Sequence, residues 1–185
     1  MTKIIFQALS EVILIPWYLI GSLASYLFPL NLVNSSPTKQ TPIVFIHGWL
    51  SQNFPYITLK RYLENTGYSV HLTNFGWHTG DIKKDAHKLK DFLERNNLRG
   101  AVLIGASLGA LISLFYLQRL GGWKRVNKFI SIGGPFYGSP AAHLAAWFSQ
   151  SAQQMIPGSK FLTSLISKVK ITKKIICISA EFDEL

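Results

Sequence analysis

The stretch at residues 101–120, AVLIGASLGALISLFYLQRL, decides how this chain reads. It opens on four apolar residues, Ala101-Val102-Leu103-Ile104, the pattern of a short buried strand. It closes on an apolar run from 108 to 120 that Gly121-Gly122 ends as a helix C-terminus. Between the two stands Gly105-Ala106-Ser107-Leu108-Gly109, a G-x-S-x-G turn in the setting of strand, sharp turn and helix. The flanking glycines let neighbouring backbone come close where the turn is strained. The Ser107 hydroxyl is thereby lifted out of the sheet to the amino end of a helix, where free N–H groups and the helix dipole favour a developing anion.

Working outward, the same alternation repeats. PIVFIHG at 42–48 predicts a buried strand ending in glycine. Residues 56–66 predict a helix stopped by Gly67, and YSVHL at 68–72 a second strand. Ile82, Ala86, Leu89 and Leu93 fall at helical spacing within 81–96, with charges on the other faces. Strands follow at 126–132 and 175–179, and 140–168 reads as helical and irregular. Strands alternating with helices imply a mostly parallel sheet covered by helices on both faces. Sites in such sheets form at the carboxyl ends of the strands. His47-Gly48-Trp49 ends the first strand, so the Trp49 N–H and the Leu108 N–H are the expected pair of donors to an anion beside Ser107. His47 is expected to brace that loop.

The 185 residues carry 48% hydrophobic and 15% charged side chains, too apolar for a disordered chain. Cys177 is the only cysteine, which excludes a disulfide framework, zinc-like cysteine pairs and paired-thiol redox chemistry. No solenoid-length repeat is visible. Neither a cofactor nor a metal is expected. The net charge is +10, and it is uneven: from Arg95 through Ala180 there are 11 Lys and Arg and no acid. Such a basic face suits anionic lipid headgroups. It also suits simple solubility, whereas no nucleic-acid motif accompanies it.

The amino end has its own character. Residues 12–33, VILIPWYLIGSLASYLFPLNLV, carry no charge over about the length needed to cross a bilayer. Residues 1–33 therefore read as a membrane anchor, as a secretory signal with Ser22-Leu23-Ala24 as its small-x-small site, or as a helix of the domain itself. In the first two readings the domain lies outside the cytosol, on the periplasmic or secreted side. Residues 34–41, NSSPTKQT, read as a linker, and the domain runs over 42–185.

These motifs in this order resemble the α/β-hydrolase superfamily, in particular a small bacterial triacylglycerol lipase or esterase. The resemblance rests on the HG loop at 47–49, GASLGA at 105–110, SIGGPFYGSP at 131–140 and QMIPGSKFLTSL at 154–165. It departs from the family at Ala106, where histidine is frequent, at Gly109-Ala110, where Gly-Gly is, and at Pro135-Phe136, where Pro-His is. The resemblance implies a serine ester hydrolase with Ser107 as nucleophile, an acyl-enzyme intermediate, and lipid or other apolar acyl esters as substrates at a membrane surface. Thioesterases and amidases use the same scaffold.

It also implies a chain order of serine, acid, histidine. Glu181, Asp183 and Glu184 are the only acids after Ser107, and Asp183 fits the acid position best. The histidine that would follow it is not in the sequence, so the resemblance implies a domain incomplete at its C-terminus, lacking one strand, one helix and the base. A truncated, inactive membrane-associated remnant or binding protein is the alternative expectation. His143, the only histidine after Ser107, allows an unorthodox base. His71, His78 and His87 match no triad position; His78 is expected on a surface loop, with lining of the cleft mouth as the alternative.

Overall fold

The computed structural model of the protein describes residues 41–167 and 173–179. The anchor or signal segment, nearly all of the linker, and Glu181, Asp183 and Glu184 lie outside the described residues. Five parallel strands form one sheet: β1 (Pro42–Ile46), β2 (Ser69–Leu72), β3 (Ala101–Ala106), β4 (Val126–Ile132) and β5 (Ile175–Ile178), in the order β2-β1-β3-β4-β5. Every residue of β1 is buried, as its unbroken PIVFI requires of a strand covered on both faces. Among the described residues β2 and β5 are the two edge strands, and three of the four residues of β5 are exposed.

Among the described residues, five α-helices of six residues or more accompany the sheet: α1 (Ile57–Asn65), α2 (Ile82–Arg95), α3 (Leu108–Arg119), α4 (Gln150–Met155) and α5 (Lys160–Ile166). One face of the sheet sends Val44, Ile46 and Leu103 into a large core with α2, α3, α4 and α5. The other face packs Ile43, Phe45 and Ile104 against Leu63 of α1 and its neighbours. Helices on both faces are thus observed as the alternation predicts. Two of the helices against the first face, α2 and α3, differ for a physical reason. α2 buries one stripe, Ile82, Asp85, Ala86, Leu89 and Leu93. α3 buries nine of its twelve residues, because it sits over the sheet centre with neighbours on every side.

The segment from Pro140 to Ile166 is a short 3₁₀ turn (Pro140–Leu144) followed by α4 and α5, each opened by a serine cap. Ser149 accepts from the Ala152 N–H and Ser159 from the Leu162 N–H. Gln154 clamps this segment to the start of α2. Its carbonyl oxygen accepts from the Ile82 N–H at 2.9 Å, and its amide donates to Asp81 at 2.7 Å. These two bonds hold α4 against the start of α2, at the end of the loop that follows β2.

Candidate active site

Ser107 stands between β3 and α3 with φ +49° and ψ −121°, a backbone conformation that side-chain-bearing residues rarely adopt. The turn is fixed on both sides: the Ser107 N–H donates to Ile132 O at 2.8 Å, and the Ala110 N–H to Ser107 O at 2.9 Å. It requires its glycines. A Cβ on Gly105 would stand 2.7 Å from Ala110 Cα and Gly109 O, and one on Gly109 would run into the Ile46 and His47 carbonyls. Closely apposed backbone thus holds Ser107 exposed at the carboxyl end of the sheet while Leu108 beside it is fully buried.

The loop after β1 meets this turn. A Cβ on Gly48 would lie 3.1 Å from Ser107 Cβ and 3.6 Å from Ser107 Oγ. The Gly48 carbonyl accepts from His47 Nδ1 at 3.0 Å and from the Ser51 N–H at 3.3 Å. A carbonyl only accepts, so His47 carries its proton on Nδ1. The peptide is trans, so pinning the Gly48 carbonyl aims the Trp49 N–H in the opposite direction. The Trp49 indole N–H donates to Ser149 Oγ at 3.1 Å, which ties the loop to the residues before α4. His47 braces the loop as expected.

His78 departs from its expected place. It is only 3% exposed, with φ +55°, and Nδ1 bonds Asp85 Oδ2 at 2.7 Å. Lys88 Nζ holds the other carboxylate oxygen, Oδ1, at 2.7 Å. The His78 ring packs against that of His47 with centroids 4.3 Å apart. The reason it is internal is the company its loop keeps. Ser149 Oγ and the Gln150 N–H reach Thr79 O, and Ser151 Oγ reaches His78 O, folding the loop under the segment before α4. A line of contacts therefore runs from Lys88 through Asp85, His78 and His47 to the Gly48 peptide beside Ser107. His143 is exposed on the 3₁₀ turn, and Asp183 lies outside the described residues.

Burial, and then repulsion from His78, hold the pKa of His47 down to about 4, against the Gly48 hydrogen bond and the Asp85 charge, which raise it. Burial pushes Asp85 up, but hydrogen bonds from His78 and Lys88 and their charges outweigh it and leave the carboxyl below its ordinary value. A histidine harder to protonate in the fold than outside it contributes stability that is present above its unfolded value of 6.5 and lost as pH falls towards 4. Urea unfolding should therefore show a loss on the order of 2 kcal/mol between pH 7 and pH 4.5. His47→Gln should flatten that slope, and an unchanged slope in this variant would remove His47 as its source. The depressed Asp85 carboxyl adds its own loss at still lower pH.

Among the described residues, no group of three or more His, Cys, Asp or Glu side chains is placed to hold a metal, and no helix is long and apolar enough to cross a membrane.

The chain is similar to known proteins in sequence and in fold. A family model described as the alpha/beta hydrolase fold matches residues 41–163. Ethanol acetyltransferase 1 of Cyberlindnera fabianii is 32% identical over 95 residues, spanning 47% of this chain and 28% of that protein. The mature form of Bacillus licheniformis lipase BlEst2 superposes with a TM-score of 0.62 at 18% identity, over 80% of this chain and 68% of that one. Aspergillus fumigatus lipase B gives a TM-score of 0.63 at 16% identity, over 78% and 37%. The chain spans little more than a quarter of the acetyltransferase it matches.

Proposed function

The chain belongs to the alpha/beta hydrolase fold family, and from that premise we propose that it is a serine carboxylic-ester hydrolase acting on lipid or other apolar acyl esters. The observation that carries this reading is the strained, exposed Ser107 facing the pinned Gly48-Trp49 peptide. Ser107 Oγ attacks the ester carbonyl carbon, and its proton passes to a histidine base. The carbonyl oxygen becomes an anion held by the Trp49 and Leu108 N–H groups. Collapse expels the alcohol, which takes the proton, and leaves an acyl-Ser107 that water then hydrolyses. Asp183 is assigned as the acid that orients the base.

The described part of the segment after β4, residues 134–167, supplies the acyl-pocket wall and cap, with the membrane surface as the source of substrate and the domain on the periplasmic or secreted side. Lipase structures on the same fold support the ester class. The similarity to an ethanol acetyltransferase supports acyl-transfer chemistry.

A fluorophosphonate probe tests the nucleophile. Covalent labelling of the full chain is expected at Ser107 and to vanish in Ser107→Ala. Absence of labelling in the folded wild-type chain would favour the inactive remnant or binding protein instead.

A further inference from the structure

Four of the eight exposed large apolar side chains among the described residues fall within residues 137–148. Tyr137 is 85% exposed, Leu144 81%, Trp147 84% and Phe148 49%. A soluble monomer rarely displays so concentrated an apolar stretch without a use for it. The stretch contains no Asp, Glu, Lys or Arg. It is also continuous with the site: the Trp147 and Phe148 rings meet edge to face at 4.8 Å, and Phe148 lies 6.0 Å from the Trp49 ring.

These side chains are presented, not loose. Immediately after Phe148, Ser149 receives the Trp49 indole, and Ser149, Gln150 and Ser151 are fastened to Thr79 and His78. The Ser139 N–H donates to Met155 O at 2.9 Å, and the Gly138 backbone lies close against Pro157, which anchors the other end.

We propose that residues 137–148 dock the domain onto an anionic lipid surface, with Trp147, Phe148 and Leu144 entering the headgroup boundary and the Trp49–Ser107 site facing the lipid. The occupant follows from charge. The chain carries +10, and residues 96–179 hold basic residues and no acid, so anionic headgroups attract this half of the domain. A second copy with the same +10 is repelled. Tryptophan and tyrosine, each an apolar body with a polar edge, suit the boundary between headgroup and acyl chain. The inference deepens the reading of Ser107 as an ester hydrolase by naming where its substrate lies, and it is read separately from the chemistry.

The test uses the full chain with Cys177→Ser and an environment-sensitive NBD fluorophore on Leu144→Cys. Thr66→Cys, past the end of α1 and so at the opposite end of the sheet, carries the control probe. On vesicles of phosphatidylcholine with phosphatidylglycerol, the Leu144 probe is expected to shift to shorter wavelength while the Thr66 probe stays in water. The shift should weaken with added salt and with pure phosphatidylcholine. Trp147→Glu with Phe148→Glu should abolish it even where the amino-terminal segment keeps the chain on the vesicle. Co-sedimentation without a Leu144 shift would overturn the proposal, as would equal shifts on neutral and anionic vesicles. A shift without vesicles, accompanied by a doubled mass in light scattering, would assign the patch to a second copy and overturn it too. Ester hydrolysis is measured on the same samples: docking without hydrolysis removes the Ser107 reading alone, and hydrolysis without docking removes this one alone.

Discussion

With the histidine base of the proposed mechanism in place, Ser107→Ala is expected to lower the turnover of a p-nitrophenyl ester by about 10⁴–10⁶-fold, the range seen when a serine nucleophile is removed elsewhere. The loss should fall in kcat with KM little changed, because Oγ forms its decisive bond only on the way to the acyl-enzyme. The fold should survive. Ser107 is exposed and makes its two turn contacts through its own N–H and carbonyl, to Ile132 O and from the Ala110 N–H, which alanine retains. Thermal melting of the variant should therefore match the wild-type chain. Hydrolysis that persists unchanged in Ser107→Ala would end the assignment of this chain as a serine hydrolase, whatever its family.

Gly109→Ala is expected to have the largest effect on stability. The new methyl would be driven into the Ile46 carbonyl and stand 2.7 Å from His47 O, both of them backbone. A clash with a flexible side chain is relieved by a rotation, but this one requires α3 to move off the end of β1. That would disturb α3, which buries nine residues in the main core. Overpacking of this kind costs 1–3 kcal/mol when side chains give way, and more than about 4 kcal/mol is expected when backbone must. Denaturant titration, or simple failure to accumulate soluble protein, measures it. A loss below about 1 kcal/mol would mean that the contact between α3 and β1 is looser than described.

How far the chain could be read beforehand depended on whether a feature was local. The strands at 42–46 and 101–106 are nearly unbroken apolar runs, and their burial within a covered parallel sheet follows from composition alone. The G-x-S-x-G turn was legible because its glycines, strand and helix are contiguous in sequence. The His47–His78–Asp85 contacts were not legible, since they join a strand end, a loop and a helix with no common spacing. One signal was available. Asp85 falls in phase with Ile82, Ala86 and Leu89 on the apolar stripe of α2, and an acid placed there must find a partner inside. His78, seven residues earlier in a Gly-rich loop, offered no pattern at all. Its burial is imposed by Ser149, Gln150 and Ser151, which come from the far side of the sequence.

The backbone of the elbow bears on how such a chain changes over generations. Gly105 and Gly109 are demanded by packing, so selection for a folded protein alone would keep them. Ser107 is different, because φ +49° with ψ −121° is a conformation in which glycine is at ease and serine is strained by about 1–3 kcal/mol. In a lineage released from any need for acyl chemistry, drift towards glycine at this one position would be rewarded by a sturdier protein. The elbow would outlive its hydroxyl, and descendants would keep the architecture while discarding the one residue whose retention only use can justify.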